Sequence, residues 1–378
     1  MRCDRCWRRG TLLTREAPSE PLRIWALLGA RAGDNNQVIA LAEALGQPFE
    51  IKQLHYNRLR VLGPMLLGRS LASLTPSSKE LVTSEPPPDL TISAGHRSVP
   101  VVQWLRDRSN GRARSIHVGF PRISPGNFDL VIATTQYPIP DHPRLLRLPF
   151  ALTRAATTAA DPVDEHQLAE LPRPRRLLIV GGPNLYWELD EARLLGTLAA
   201  MMAESADRGG SILVTTSPRT PAGVRADINR ALESSKVPSI LAAPGTAPRY
   251  QSLLAAADSI RITADSVAMI SDAIWTGKPI GLVSIRPSSL GELAIGLMDR
   301  LRPRQPLYPQ DLRPFWDGLA EIGIGERLGI PNTSAADQMR VIVERASRVV
   351  EDAAERQEGR EARPRPQLSD GKNRAERS

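Results

Sequence analysis

The chain has 378 residues, of which 41% are hydrophobic and 24% are charged, and its formal net charge is +8. These fractions are typical of a globular protein and exclude a disordered or collagen-like chain, while no run reaches the ~18 uninterrupted apolar residues of a membrane-spanning helix. The length favours two domains, at a prior of about 100–200 residues per domain. The only cysteines, Cys3 and Cys6, cannot supply a disulfide framework, which favours a reducing compartment and therefore the cytoplasm.

Composition also divides the chain into segments. Residues 1–21 contain five arginines but no apolar core long enough for a secretory signal, so we expect a disordered lead-in. Residues 351–378 carry seven positive and seven negative charges, and we expect a disordered charged tail. Between them we predict an N-terminal domain over 22–155, a linker over 156–174 and a C-terminal domain over 175–350.

Short apolar runs alternate with helix-like segments along both halves, which predicts βα units and parallel sheets. Most runs are continuously apolar, as expected for strands that helices cover on both faces. The predicted strands are 22–29, 49–54, 89–94, 115–118 and 129–133, then 176–181, 211–215, 239–242, 258–263 and 279–284. The predicted helices are 35–45, 99–108, 190–206, 221–233 and 266–276.

The first strand runs into a loop that contains Gly29, Gly33, Asp34, Asn35 and Gln37. In open α/β sheets, ligands bind beyond the carboxyl ends of the strands. The glycines allow a ligand to approach the backbone, and the N–H groups of the following helix suit an anion or a hydroxyl. The alternative is an ordinary βα turn with Asp34 as the helix N-cap.

The third predicted strand leads into His96 and Arg97. An imidazole at the mouth of a cleft can serve as a general base. The alternative is a histidine that caps local backbone. The other histidines lack the spacing of a metal site, so we expect none; they are His55, His117, His142 and His166.

Three strand ends of the second half carry glycines, hydroxyls and charged residues suited to phosphate and ribose. Hydroxyls and N–H groups at a helix N-terminus suit a diphosphate, which Arg219 would neutralise. Asp272, two turns beyond Asp265 on the same helix face, would accept from ribose hydroxyls, and ordinary capping is the alternative for each loop alone. The dinucleotide and P-loop fingerprints are absent, which disfavours a dehydrogenase or an NTPase. The candidates are Gly181, Gly182, Thr216, Ser217, Arg219, Thr263, Asp265, Ser266 and Asp272.

Six motifs occur along the chain in a specific combination. They are Gly29-x3-Gly33-Asp34-Asn35-x-Gln37, Ser93-Ala94-Gly95-His96-Arg97, Phe128-Asp129-Leu130-Val131, Gly181-Gly182-Pro183, Thr215-Thr216-Ser217-x-Arg219-Thr220-Pro221 and Thr263-Ala264-Asp265-Ser266-Val267-x-Met269-x-Ser271. Over about residues 23–326 the chain resembles the mitochondrial-fission "elongated mitochondria" family of bacteria and plants, a group classed with GT-B-type glycosyltransferases. The resemblance implies a GT-B-like α/β fold, in which two Rossmann-like domains with parallel sheets face a central cleft. It also implies a nucleotide-sugar donor in the C-terminal domain, although relatives more often have Glu where this chain has Asp272.

The resemblance and the residues together favour a metal-independent hexosyltransferase that moves a sugar from a nucleotide sugar to an acceptor hydroxyl. The nine candidates of the second half would bind the donor, and Asp34 or His96 would deprotonate the acceptor. We expect no cofactor besides the nucleotide-sugar co-substrate. A nucleotide-sugar epimerase of the same fold and a non-catalytic recruitment protein stay open as alternatives. The acceptor side would be lined by Gly29, Gly33, Asn35, Gln37 and Arg97.

Arginine is unevenly distributed. Residues 97–122 hold six arginines against one aspartate, which favours an anionic acceptor or a membrane face. Segment 56–74 mixes apolar residues with Arg58, Arg60 and Arg69, a composition that suits peripheral docking on the inner face of the cell membrane, where lipid-linked acceptors occur. The alternative is a core helix with a basic exposed edge. No nucleic-acid-binding motif is present, so we expect no nucleic-acid partner.

Overall fold

A computed structural model describes residues 21–154, 161–301 and 311–361. The first half contains a six-stranded parallel sheet whose order reverses between its first and third strands, β2-β1-β3-β4-β5-β6. Its strands are β1 (Ile24–Leu28), β2 (Glu50–Gln53), β3 (Leu90–Ala94), β4 (Arg114–Val118), β5 (Leu130–Thr134) and β6 (Leu145–Leu148). Its helices are α1 (Ala32–Ala44), α2 (Pro64–Leu67), α3 (Pro76–Thr83) and α4 (Val99–Arg108).

The second half contains a five-stranded parallel sheet, whose order β10-β9-β7-β11-β12 reverses between β7 and β11, and an antiparallel ribbon of β8 and β13. The strands are β7 (Arg175–Val180), β8 (Trp187–Leu189), β9 (Ser211–Thr216), β10 (Ser239–Ala242), β11 (Ser259–Thr263), β12 (Ile280–Val283) and β13 (Ile285–Pro287). The helices are α5 (Pro162–Ala169), α6 (Glu191–Arg208), α7 (Ala222–Glu233), α8 (Tyr250–Ala256), α9 (Val267–Trp275), α10 (Ser289–Leu301) and α11 (Arg313–Glu321).

Each sheet has an apolar core on both of its faces. Successive side chains of a strand point to opposite faces, and along β1 Ile24 and Ala26 join one cluster while Trp25 and Leu27 join the other. A strand that is buried on both faces is continuously apolar, which is why these strands were predictable. The predicted parallel α/β architecture is confirmed, and the ten predicted strands are present with ends that shift by at most two residues.

The stretch between the halves differs from the prediction. Residues 137–174 are rich in proline, and strand β6 extends the first sheet from within them. Most of the predicted linker 156–174 is occupied by α5 and the approach to β7. Asp164 of α5 is buried and accepts hydrogen bonds from Arg249 N at 2.8 Å and from Ser252 Oγ at 2.9 Å. Helix α5 therefore belongs to the second half. Residues 155–160 and residues 1–20 of the predicted lead-in at 1–21 lie outside the described residues.

The last described helix, α12 (Ala335–Glu361), returns to the first half. Ile342, Ala346 and Val349 pack into the core of the first sheet, and Arg114 forms an ion pair with Asp352. The predicted tail boundary at 351 is therefore wrong, and so is the placement of 335–350 in the C-terminal domain. The physical reason is a helical stripe of small and apolar residues that continues to Ala353, which is 2% exposed, beneath a surface rich in charge. Residues 362–378 lie outside the described residues.

The two halves touch along α9. Ala151 donates its N–H to Ser271 Oγ at 2.8 Å, and Trp275 Nε1 donates to the Ala151 carbonyl at 2.9 Å. On the same face of α9, a Cβ added to Gly33 would lie 3.9 Å from the Ala268 Cβ. Helix α9 is thus an element of the second half against which the first half packs.

Candidate functional site

Both sheets place a pair of loops at the point where their strand order reverses. In the first sheet these loops follow β1 and β3, and Leu27 is in register with Ser93. In the second sheet they follow β7 and β11, and Ile179 is in register with Ile262. The reversal of strand order leaves a crevice at the carboxyl end of a parallel sheet, where ligands bind. The candidates from the sequence lie at or beyond the carboxyl ends of these four strands, with four exceptions. Thr216, Ser217 and Arg219 lie at or beyond the end of β9, and Asp272 lies within α9.

Five candidates of the second half form one hydrogen-bonded group, which we call the Asp265 cluster: Gly181, Gly182, Arg219, Thr263 and Asp265. Asp265 Oδ2 accepts from Gly182 N at 3.0 Å and from Arg219 Nη2 at 2.9 Å. Its Oδ1 accepts from Thr263 Oγ1 at 2.6 Å, and that hydroxyl accepts from Gly181 N at 2.8 Å. Asp265 is buried, so Arg219 offsets a carboxylate that water does not solvate.

This pairing changes what is expected of Arg219. The sequence predicts an arginine whose charge neutralises a diphosphate, whereas here Nη2 binds Asp265 and Nη1 donates to the Gly182 carbonyl at 2.9 Å. The guanidinium therefore holds the loops after β7 and β9 together and brings little net charge to the crevice. The close approach requires glycine, because a Cβ on Gly181 would overlap the Asp265 carboxylate and one on Gly182 would overlap the Arg219 backbone.

A cavity of about 410 Å³ adjoins the Asp265 cluster. Ser217 links the two, since its Oγ accepts from Arg219 N at 3.1 Å. Thr216 is 5% exposed and lines the cavity, yet its Oγ1 has no hydrogen-bond partner among the described residues. A buried hydroxyl without a partner is costly unless a ligand or water binds it. Loop residues 243–246, the start of α8 and Met269 form the other walls.

Ser266 and Asp272 both belong to the α9 region but have different surroundings. Ser266 is the N-cap of α9, and its Oγ accepts from Met269 N at 3.4 Å. Asp272 contacts Thr153 and Tyr250. Burial raises the pKa of the Asp272 carboxyl to about 6, and hydrogen bonds from Thr153 and Tyr250 oppose this rise. Tyr250 also lines the 410 Å³ cavity.

In the first half, the loop after β1 is closed by side chains that the sequence places on the acceptor side. Asn35 Oδ1 accepts from Gly29 N at 2.8 Å, and Asn35 Nδ2 donates to the Gly29 carbonyl at 2.9 Å. Gln37 Nε2 donates to the Gly33 carbonyl at 3.4 Å. These amides therefore shape the loop. Helix α1 begins at Ala32, three residues earlier than predicted, so Asp34 lies inside its first turn and is not its N-cap.

Asp34 and His96, the predicted catalytic pair, line one small pocket. Gly95 has φ +71, and a Cβ there would lie 3.1 Å from Asp34 Oδ2, so the carboxylate approaches the backbone closely. Burial raises the pKa of the Asp34 carboxyl above its usual value, although Arg31 and Arg97 oppose the rise. Burial also lowers the pKa of His96 to about 4, and nearby arginines add to this effect. At neutral pH the imidazole is therefore uncharged.

Three arginines surround this pair. Arg31 and Arg97 line the pocket with Asp34, and the charge of Arg122 also acts on His96. Arg97 Nε is buried and has no hydrogen-bond partner among the described residues. A single buried carboxylate among three guanidinium groups leaves the pocket electropositive, which suits an anionic ligand.

The structure adds residues that sequence reasoning missed. Tyr56 lines the pocket beside His96. Tyr137 lies near Asp34, and burial together with the charge of Asp34 raises its pKa to about 12. Behind them His117 is fully buried, and its Nδ1 lies 3.0 Å from Ser93 Oγ. Sequence patterns do not mark these three residues as part of a site, because each lies in an ordinary apolar run or a proline-rich loop.

A second cavity, of about 130 Å³, lies between the two halves. Asp34 lines it from the first half, and Val267 and Ala268 line it from the N-terminus of α9. Asp34 therefore borders both this cavity and the small pocket that it lines with Arg31, His96 and Arg97, which we call the arginine pocket. Among the described residues, no group of three or more His, Cys, Asp or Glu side chains is arranged to hold a metal ion. In the same part of the chain, no helix has the length and apolar character needed to cross a membrane.

Comparison with known proteins agrees with this architecture. A structure of UDP-GlcNAc 2-epimerase from Methanocaldococcus jannaschii superposes with a TM-score of 0.50 at 12% sequence identity, covering 86% of this chain and 100% of that one. The likeness shows a shared fold, and the predicted GT-B-like arrangement of two Rossmann-like halves is confirmed.

Two curated relatives match in sequence. The mitochondrial fission protein ELM1 of Arabidopsis thaliana is 26% identical over 230 residues, which are 52% of this chain and 51% of that protein, so the match spans about half of the plant protein. An uncharacterised protein of Rickettsia prowazekii (strain Madrid E) is 22% identical over 299 residues, covering 68% of this chain and 82% of that protein. The family described as Mitochondrial fission ELM1 matches residues 32–297. The chain belongs to this family, as the six sequence motifs predicted.

Proposed function

We propose that the chain binds a nucleotide sugar in the crevice between its halves and transfers the sugar to an acceptor hydroxyl. The observation that carries the proposal is the position of Asp34, which borders both the arginine pocket and the cavity at the N-terminus of α9. A base at this junction can reach an acceptor in the first half while the donor lies on the second. The nucleotide-sugar enzyme that shares the fold supports this donor class.

The donor occupies the second half. Its nucleoside lies in the 410 Å³ cavity, where the unpartnered Thr216 hydroxyl receives a hydrogen bond or donates one. Its diphosphate lies at the N-terminus of α9, whose N–H groups and dipole favour negative charge. Because Asp265 offsets Arg219, the balancing positive charge comes from Arg31 and Arg97 across the crevice.

Asp34 acts as the base, in preference to His96. The raised pKa makes its carboxylate a better proton acceptor than an ordinary aspartate, whereas a pKa near 4 makes His96 a weak base. The acceptor oxygen bonds to the anomeric carbon as the bond from that carbon to the diphosphate oxygen breaks. The leaving nucleoside diphosphate takes the electron pair, and the acceptor proton passes to Asp34. Neutral His96 orients the acceptor by hydrogen bonding.

An anionic acceptor fits the arginine pocket, and we place the reaction in the cytoplasm. The nucleotide sugar is the only co-substrate this proposal requires. The same acid–base groups would also serve a nucleotide-sugar epimerase, and the M. jannaschii neighbour is itself a UDP-GlcNAc 2-epimerase. A protein that only recruits partners would need neither Asp34 nor a donor.

The test incubates the purified chain with UDP-, GDP- and ADP-sugars. Thermal stabilisation by one of them, with release of the nucleoside diphosphate, supports transfer; formation of an epimer would assign the alternative. The Asp34→Asn variant should keep the thermal stabilisation and lose the release, while Asp207→Asn, whose side chain is 82% exposed, should keep both. If no nucleotide sugar stabilises the wild type, both enzymatic functions are wrong.

A further inference from the structure

A segment between β2 and α3 presents apolar side chains to solvent. We call residues 57–71 the docking segment, and it contains a short 3-10 helix, Arg58–Val61, followed by α2. Val61, Met65 and Leu66 are 83%, 84% and 78% exposed, and Leu59 and Leu62 are also exposed. A core helix, the alternative drawn from sequence, is therefore wrong. Contiguous exposed apolar side chains mark a surface that another body covers.

Hydrogen bonds at the two ends of the docking segment fix its backbone. Asn57 Oδ1 accepts from Leu59 N at 2.8 Å, while its Nδ2 donates to the carbonyls of Ala72 at 2.8 Å and Leu74 at 3.0 Å. Pro64 is buried beneath the exposed residues. One asparagine thus fixes both ends of the segment, so the apolar side chains point outward in an ordered backbone.

The charged residues of the docking segment indicate what kind of surface covers its apolar side chains. Arg58 and Arg60 are exposed beside the apolar residues, and no carboxylate of the described residues lies within ion-pair distance of either. Arg69 pairs with Asp107 at 2.6 Å and ties the segment to α4. Exposed apolar side chains beside arginines that have no ion-pair partner in the described part of the chain match an anionic lipid surface. The apolar side chains enter the acyl boundary and the arginines meet the headgroups.

We propose that the docking segment binds an anionic lipid bilayer. Tyr56, the residue that precedes it, lines the pocket with Arg31, His96 and Arg97. Docking therefore brings this pocket close to the membrane surface, where an acceptor that carries a lipid-linked phosphate is presented to Asp34. The docking itself goes beyond the proposed sugar transfer and does not depend on it.

The experiment measures co-sedimentation of the full chain with vesicles of phosphatidylcholine alone or mixed equally with phosphatidylglycerol. The wild type should bind the mixed vesicles and not the neutral ones. Met65→Ser combined with Leu66→Ser should weaken binding about tenfold or more, since these side chains lose their burial in lipid. Arg58→Ala combined with Arg60→Ala should weaken it by a similar factor, at about fivefold per arginine.

The matched control is Val163→Ser combined with Ile330→Ser, which removes two apolar side chains that are 74% and 66% exposed elsewhere. This control should bind like the wild type. Unchanged melting temperatures establish that all variants fold. Equal binding of wild type and docking-segment variants, or equal binding to both kinds of vesicle, overturns the proposal. So does self-association of the wild type that the Met65→Ser and Leu66→Ser changes abolish without any vesicle binding, since a second copy would then cover the segment.

Discussion

Replacing Gly182 with alanine tests the Asp265 cluster most directly. A Cβ on Gly182 would lie 2.7 Å from the Arg219 Cβ and closer still to the Arg219 carbonyl. Carbon atoms pack at about 3.5–4.0 Å, so one of the two loops must move by about 1 Å. The bond from Arg219 Nη1 to the Gly182 carbonyl joins these two loops, and the bond from Gly182 N to Asp265 Oδ2 ties the first of them to the loop after β11. Both would be strained or lost.

The size of the effect follows from these two changes. Overpacking of a filled site costs about 1–3 kcal/mol, and losing a hydrogen bond to a buried carboxylate costs about 1.5–3 kcal/mol. We therefore expect Gly182→Ala to lower the free energy of unfolding by about 3–5 kcal/mol. In a domain of this size that corresponds to a fall in melting temperature of about 10 °C.

Thermal denaturation followed by circular dichroism measures the effect, and the chain offers a matched control. Gly223, in the first turn of α7, has no atom within 4 Å of an added Cβ, so Gly223→Ala should be neutral or slightly stabilising. The same chemical change thus has opposite signs at two positions. If Gly182→Ala melts no lower than Gly223→Ala, the tight approach of the loops after β7 and β9 is wrong.

Three further predictions concern titration and the unpartnered hydroxyl. The folded pKa of Asp272 is about 6 against an ordinary 3.8, so its protonated form stabilises the fold at low pH and this stability is lost as pH rises through 6. The free energy of unfolding of Asp272→Asn should therefore rise relative to that of the wild type by about 3 kcal/mol between pH 4 and pH 8, as measured by urea titrations. His96 has a folded pKa near 4, so its neutral form contributes stability above about pH 6.5 that is lost as pH falls through 4, and Arg122→Gly should raise its pKa in an NMR titration. Thr216→Val should stabilise the fold by about 1 kcal/mol in thermal unfolding yet weaken binding of the nucleotide sugar in calorimetry, since the buried hydroxyl has no partner among the described residues.

Each of these has an outcome that contradicts it. A stability difference between Asp272→Asn and wild type that does not change with pH would mean that the carboxyl pKa is not raised by burial. An unchanged His96 titration in Arg122→Gly would remove the electrostatic contact between them, with Arg112→Gly, an exposed arginine elsewhere, as control. Destabilisation by Thr216→Val would mean that the hydroxyl has a partner within the fold.

Most of the architecture was predictable from sequence because it depends on local patterns. The strands are continuous apolar runs, and the glycine and hydroxyl loops directly follow them, so sequence patterns alone locate the two crevices. Pairings between distant segments were not predictable. Arg219 meets Asp265 46 residues away, and nothing in either loop marks the pair. The spacing of Asp272 beyond Asp265 predicts a ribose contact, but nothing in that spacing indicates its contacts with Thr153 and Tyr250.

The surroundings of Asn35 and the exposure of the docking segment were likewise not predictable from sequence. Asn35 was predicted to line the acceptor side, yet its amide makes two hydrogen bonds to the half-buried backbone of Gly29 and closes the loop. Backbone N–H and C=O groups that are withdrawn from water need such partners. The exposure of Val61 and Met65 was also beyond the sequence, since a short apolar run has the same composition in a core and on a surface.

The return of α12 to the first sheet has a consequence for synthesis of the chain. Ile342 and Ala346 complete a core that includes Ile24 and Leu90, which emerge from the ribosome some 250 residues or more before Ile342. During translation the first half therefore carries an uncovered apolar face while the whole second half is made and folds. Such a face is prone to aggregation until its partner is made, so the first half completes its core only after α12 has been synthesised.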